Sequence, residues 1–411
     1  MESHVYVIGI GLTPFGSLPD HSVKSLARLA LDNALADAGC TRADVGAVFF
    51  ANAGQGFLEG QICVRGQVAL RAAGLQGIPI TNVENACAGG STAFHAAVNW
   101  LRAERGDVAL AIGVEKMVIA DRARAMSLFE GGWDVGDVEA GSRTLRELEA
   151  ATGALPAAPA ATAQSRFMEI YGALARFYMS RSGVTREQLA TVAAKNHAHS
   201  VHNPLAHYRK PFTIDEVLDA REVVWPLTVP MCSPLSDGAA AAVLCTERAL
   251  GRFGTRRAVR VLASVLRSGS DRNAADVVNH VSHLAARSAY EEAGVGPEDV
   301  SVAEVHDATA LGEIIQVENL GFCAFGFGGE LAVRGDTRLG GRIPVNPSGG
   351  LESRGHPIAA TGLAQIHELV TQLRGDAGPR QVAAARIAVA ENGGGLIGVE
   401  EAVACLTVLG R

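Results

Sequence analysis

Four places in the 411-residue chain set a reactive side chain beside the backbone punctuation that chemistry needs. Cys87 lies in Glu84-Asn85-Ala86-Cys87-Ala88-Gly89-Gly90-Ser91, between an apolar run and a helical pattern. A thiol at a helix start faces unpaired N–H groups and the positive dipole end, which lower its pKa and favour the thiolate nucleophile. The glycines after it would let an acyl group come close. The same position also suits a small buried core cysteine, the commonest fate of a free thiol. His356 lies in Gly355-His356-Pro357, and the proline suits a first helical turn. A neutral imidazole there can take a thiol proton and later polarise a thioester oxygen. It can equally be a capping or core histidine.

His306 and Asp307 follow a short apolar run, where α/β sheets place ligand-binding residues. The histidine can donate to an oxyanion, while the plainer reading has Asp307 cap the next helix. Glu391-Asn392-Gly393-Gly394-Gly395 follows a buried run, and Gly393 with the Cys87 amide would make a two-donor oxyanion hole. That stretch can also be a plain turn. The histidines at 197, 199, 202 and 207 carry no metal expectation, because a His-x-His pair on a helix points to different faces and no carboxylate or thiol completes a shell. Gly9-Ile10-Gly11 lacks the third glycine of a dinucleotide fingerprint.

The elements that must hold these residues repeat. Residues 5–54 and 260–309 share a plan of apolar run, amphipathic stretch, Ala-Gly stop, turn ending in Asp-Val and second apolar run, matching down to the helix-stopping Gly39 and Gly294. Each half reads as strand, helix, strand, followed by a further helix that begins near Cys87 or near His356. Thr92 follows Cys87 by five residues and Thr361 follows His356 by five, so the two appear in corresponding places. A duplicated α/β fold with a pseudo-twofold axis would bring those helix starts together. The piece at roughly 121–240 does not repeat; its Ala-rich stretch at 153–163 reads as a mobile loop, and the whole as a lid.

Composition narrows the field. A net charge of −7 without a basic run argues against nucleic-acid binding, and 48% hydrophobic residues against wholesale disorder. The 47 glycines imply many tight turns. Seven cysteines without CxxC spacing point to a reducing, cytoplasmic setting without structural zinc. The N-terminal apolar run, broken by Gly9, Gly11 and Pro14, reads as a strand, and no run reaches the length of a membrane span.

In order and spacing, Asn85-Ala86-Cys87-Ala88-Gly89-Gly90, Ser236-Asp237-Gly238, His306-Asp307, Asn346-Pro347-Ser348-Gly349-Gly350 and Gly355-His356-Pro357 resemble the thiolase superfamily, and within it the sterol-carrier-type, lipid-transfer-like thiolases. The resemblance implies a five-layered αβαβα fold of two similar halves with an inserted loop domain. It implies halves at 1–120 with 231–255 and at 256–411, an insertion at 121–230 over the coenzyme A site, and a homodimer. It implies no permanently bound cofactor, a coenzyme A thioester as substrate, acylation of Cys87, activation by His356, and His306 in the His-Asp motif. Asp307, Glu391, Asn392 and Gly393 would support the site.

Two departures stand out. Thiolases carry a second cysteine in a Cys-x-Gly motif, where this chain has Glu391-Asn392-Gly393; sterol-carrier-type members place one after His-Asp, where this chain has Ala308. Loss of a matched acid/base group slows carbon chemistry by about 10² to 10⁴-fold, and His306 or Glu391 would have to substitute. The leading expectation is an acyltransferase acting through a Cys87 thioester. The alternatives are an acyl-CoA or lipid-binding subunit active only with a small OB-fold partner, and a decarboxylating ketosynthase.

Overall fold

The computed structural model describes residues 4–137, 139–152 and 166–411, so the expectation for 153–163 lies outside the described residues. Nine strands form one sheet: β1 (Val5–Leu12), β2 (Ala47–Ala51), β3 (Ile80–Val83), β4 (Val108–Glu115), β5 (Gly238–Thr246), β6 (Val259–Ser268), β7 (Val302–Glu304), β8 (Ile387–Gly394) and β9 (Val403–Gly410). Their order is β3-β2-β4-β5-β1-β6-β9-β8-β7. The sequence repeat is visible as a palindrome: β1, β5, β4 and β2 run outward in one half as β6, β9, β8 and β7 do in the other. Both halves pair antiparallel near the middle and parallel toward the edge. Val345, bridged to Ala303, stands where β3 stands in the first half.

Helix ends confirm the register. In α1 (Val23–Ala38) Ser22 accepts from the Ser25 amide, and Gly39 closes the helix at φ 66°. Among the later helices, Val281–Ala293 is closed by Gly294 at φ 69°, 255 positions on. In both, apolar residues at three- and four-residue spacing face the sheet.

The layers follow from which faces are apolar. Helices α1 and α2 (Arg65–Ala72) pack on one face of the first half, through Leu26, Leu31, Leu70 and Leu110. Helix α3 (Gly89–Arg102) lies on the other face. The insertion supplies α4 (Ala140–Thr152), α5 (Arg166–Ser182) and α6 (Arg186–Ser200). The second half adds α7 (Val281–Ala293), α8 (Ala310–Asn319), α9 (Gly350–Arg354) and α10 (Thr361–Arg374). Helices α3 and α10 share one core with strands of both halves, through Phe94, Leu101, Leu363, Ile366 and Leu369, while α7 and α8 cover the far face. The result is five layers. Helix α10 is buried on nearly every side, so its sequence is apolar or paired all round instead of striped.

The insertion has a core of its own, built on Leu148, Ile170, Phe177, Leu189 and Val192 and continued by Leu311 and Ile314 of α8. It is pinned to the second half by Lys195, whose ammonium lies 2.6 Å from the Glu313 carboxylate with both side chains 1% exposed.

Candidate active site

The central helices begin and end 272 positions apart, and each is preceded by a single 3₁₀ turn, Ala86–Ala88 in one half and Ile358–Ala360 in the other. Cys87 therefore corresponds to Ala359, and His356 stands ahead of its turn; the equal spacing to Thr92 and Thr361 is not the structural register. The two elbows are pressed together nonetheless. A Cβ on Gly113 would come within 2.0 Å of the Ala359 carbonyl oxygen, and one on Gly90 within 2.6 Å, so only glycine admits this approach. The chain reaches Cys87 through Ala86, held at φ 46°, with the Ala86 amide donating to Glu84 Oε1 at 2.6 Å. This places Cys87 Sγ 3.2 Å from His356 Nε2.

The hydrogen-bond partners fix which ring nitrogen carries the proton. Thr361 Oγ1 donates to the Pro357 carbonyl at 3.1 Å and lies 2.6 Å from His356 Nδ1, so it accepts from Nδ1–H. His356 Nε2 is then bare and accepts from the thiol. Asn392 Nδ2 lies 3.0 Å from His306 Nδ1 and also donates to the Gly393 carbonyl, while Asn392 Oδ1 accepts from Ser91 Oγ at 2.7 Å. His306 Nδ1 is therefore the acceptor, and its proton sits on Nε2. The rings meet edge to face with centroids 5.2 Å apart.

Electrostatics corrects one sequence expectation. Burial, then the nearby carboxylates of Glu115 and Glu84, pushes the Cys87 thiol up to about 12 instead of down, outweighing the helix start and the Gly395 amide that would favour the thiolate. Burial also holds His356 well below the ordinary histidine range and His306 down at about 4. Burial thus favours the neutral form of both the thiol and the imidazole.

Other expected site residues fall differently. Gly393 pairs with Ala404 and faces Glu401; it is Gly394 that wedges against Asn85 and Ala88, and the Gly395 amide that reaches the thiol. Within the glycine run the amide at the sulfur is therefore that of Gly395 and not that of Gly393. Glu391 points away from the cavity: its carboxylate accepts from the His306 amide at 2.9 Å and from Ser282 Oγ at 3.0 Å. It supports His306 and is not placed to serve as a base. Asp307 does not cap α8, whose N-cap is Thr309; it accepts from the Leu351 amide at 2.7 Å, at the start of α9, and from Asn196 at 3.1 Å. His197, His199 and His207 each bond to separate partners, Ser353 and Pro230, Asn346, and Ser236 respectively.

A cavity of about 890 Å³ opens over Cys87, His306 and His356. Phe57, Met117, Leu128, Phe129 and Phe167 make its apolar wall, and Arg122 and Arg221 also line it. Sequence reasoning missed three contributors. Tyr171 comes from the insertion, Cys232 faces Thr309 across a bridge beside Ala308, and Glu115 is buried beside the elbow. No motif marks them, since each reaches the site through tertiary packing.

Family models match almost end to end: "Thiolase, N-terminal domain" over residues 5–248 and "Thiolase C-terminal domain-like" over residues 263–408. The chain belongs to the thiolase family. It is 38% identical to acetyl-CoA acetyltransferase of Methanothermobacter thermautotrophicus, over 95% of this chain and 96% of that one. It is 36% identical to bovine sterol carrier protein 2, over 95% of this chain and 70% of that one. Benzoylsuccinyl-CoA thiolase subunit BbsB of Thauera aromatica is 34% identical, over 91% and 90%. Among solved structures, an Ltp2-ChsH2(DUF35) aldolase superposes with a TM-score of 0.78 at 22% identity, covering 99% of this chain and 98% of that one. Human mitochondrial 3-ketoacyl-CoA thiolase in complex with CoA gives 0.70 at 16%, covering 100% and 98%. The chain is thus an enzyme, an acyltransferase of the thiolase type, from a family that works on coenzyme A thioesters. No helix among the described residues is long and apolar enough to cross a membrane.

Proposed function

We propose that the enzyme carries an acyl group on Cys87, taken from a coenzyme A thioester. The observation that carries this reading is the 3.2 Å contact between Cys87 Sγ and the proton-free Nε2 of His356. His356 takes the thiol proton as sulfur attacks the thioester carbonyl. His306 Nε2–H and the Gly395 amide are the donors available to the oxyanion, in a cavity walled largely by apolar side chains. His356 then returns its proton to the departing thiolate of coenzyme A, which leaves a neutral acyl-enzyme. Helix α5, which contributes Phe167 and Tyr171 to the cavity wall, makes the insertion a cover for this site.

In our reading the cavity takes a hydrophobic acyl group larger than acetyl, supported by the phenylalanine and methionine wall. The exposed edge strand β3, with Phe57, Ile62 and Val64 exposed nearby, supports a homodimer. A second reading, in which a partner protein completes the reaction, draws on the Ltp2-ChsH2(DUF35) pairing of the aldolase and on the benzoylsuccinyl-CoA relative being a subunit.

The test is intact-protein mass after incubation with acetyl-, long-chain, aromatic and malonyl-CoA, beside Cys87→Ala. One added acyl group that disappears in the variant is the expected result. A wild-type protein that takes up no acyl group from any donor, alone or with a candidate partner, would overturn the assignment. Carbon dioxide released from the malonyl donor would move it to the decarboxylating class.

A further inference from the structure

Cys87, His306 and His356 present ligand atoms that all lie within 4.8 Å of one another, in an open cavity. A thiolate and two imidazoles at that spacing are a zinc-binding set, and zinc held there would block the nucleophile. What decides whether it binds lies one layer behind. A metal-bound histidine needs a bare nitrogen toward the metal, and it usually donates its other N–H to a carboxylate or carbonyl. His356 meets that requirement, since Nδ1–H is held by Thr361 and Nε2 is bare.

His306 does not. Its Nδ1 faces an amide donor, Asn392 Nδ2, whose orientation is set by the Gly393 carbonyl, which can only accept, at 3.4 Å; Ser91 Oγ–H then donates on the oxygen side. Ser91, Asn392 and His306 are all at least nine-tenths buried, so water does not compete for these bonds. Gly362 of α10 makes room for them, because a Cβ there would come within 1.9 Å of Ser91 Oγ and 2.4 Å of Asn392 Oδ1.

We infer that Asn392, oriented by the Gly393 carbonyl and bonded to Ser91, is a positioning residue that holds His306 as an Nε2–H donor, and that this same proton closes the Cys87–His306–His356 cluster to zinc. The inference rests on the proposed function only for the catalytic value of the donor. The tautomer and the metal exclusion stand on geometry.

The first measurement is histidine ¹⁵N–¹H NMR on the wild-type protein, with His306 assigned by its loss in His306→Gln. A proton on Nε2 is expected; a proton on Nδ1 overturns the inference without any need for the Asn392 variant to fold. The second is Asn392→Asp, in which the carboxylate accepts from Nδ1–H and frees Nε2. Zinc ion alone should then protect Cys87 from iodoacetamide, reversibly with chelator, at concentrations about 10- to 100-fold lower than in wild type. Equal protection in both proteins would overturn the inference. Acyl transfer by the variant in chelator should fall about 10² to 10³-fold in kcat with KM little changed, as for loss of one oxyanion donor. If instead wild type forms no acyl-enzyme, only the functional reading fails, because the NMR and zinc results do not depend on turnover.

Discussion

The elbow at Cys87 and the elbow before α10 are built on one plan: a single 3₁₀ turn running into a fourteen-residue helix held between sheets. They differ in where the reactive side chain sits and in what surrounds it. Cys87 occupies the turn itself, reached through a strained Ala86, with a backbone amide at its sulfur and carboxylates behind it that keep the proton on. His356 stands ahead of its turn, after Gly355 at φ 105°, and meets a hydroxyl that keeps its outward nitrogen bare. Duplication accounts for the position of both groups. Burial disfavours the charged form of each, which keeps the proton on the thiol and off the imidazole.

The largest effect should follow from removing the base. His356→Ala should slow acylation of Cys87 by about 10² to 10⁴-fold at neutral pH. With the thiol pushed up to about 12 and no base beside it, the residual rate should climb roughly tenfold per pH unit through the alkaline range. The wild-type profile should stay much flatter, because His356 is already neutral. Stopped-flow release of coenzyme A across pH reads both, and a variant as flat as wild type would show that some other group takes the proton.

The scaffold part of the comparison is tested on stability. Phe94 and Ile366 are matched positions on the two central helices and share one core. Phe94→Ala and Ile366→Ala should each cost about 2–5 kcal/mol, measured by denaturant unfolding. One variant unaffected while its counterpart loses several kcal/mol would mean that the halves do not contribute alike.

The smallest effect concerns two buried glutamates on the related strands β4 and β8. Glu115 Oε1 and Oε2 accept only from donors, the Ala53 and Gly54 amides and Asn52 Nδ2, so Glu115→Gln would set an NH₂ against an N–H and lower the thermal midpoint. Glu391 faces one amide and one hydroxyl, and Glu391→Gln can donate to Ser282 while still accepting from His306. Burial, and after it the charge of Glu401, raises Glu391 to about 8. Its folded form therefore holds a proton that the unfolded chain gives up near 4.5, so its contribution is present below that and is lost as pH rises through about 8. Glu391→Gln should flatten the decline of the thermal midpoint between pH 5 and pH 8 by a small margin; an unchanged slope would remove Glu391 from the explanation.

How much of this could be read beforehand depended on range. The strand-helix-strand repeat, the glycine stops at 39 and 294, and the pairing of Cys87 with His356 rest on local patterns, and the structure contains all of them. The pKa of Cys87 goes the other way because a helix start is local and visible, whereas the burial that raises it, and after it the charge of Glu115, come from tertiary packing. Gly395 was legible as part of a run, but which glycine faces the sulfur depends on strand register against the elbow. Tyr171 and Cys232 carried no signal at all, since one arrives from the insertion and the other across a single bridge.

The separation of 269 positions between Cys87 and His356 has a consequence for biosynthesis. While a ribosome is still making the second half, the emerged thiol has no imidazole beside it, and the helix that carries it lacks half of its core. During that interval no positioned group takes its proton, and an acyl thioester meets only the ordinary reactivity of an unassisted chain thiol. On the proposed mechanism, base-assisted acylation of Cys87 starts only when the second half docks, so an acyl-enzyme would mark chains whose two halves have met.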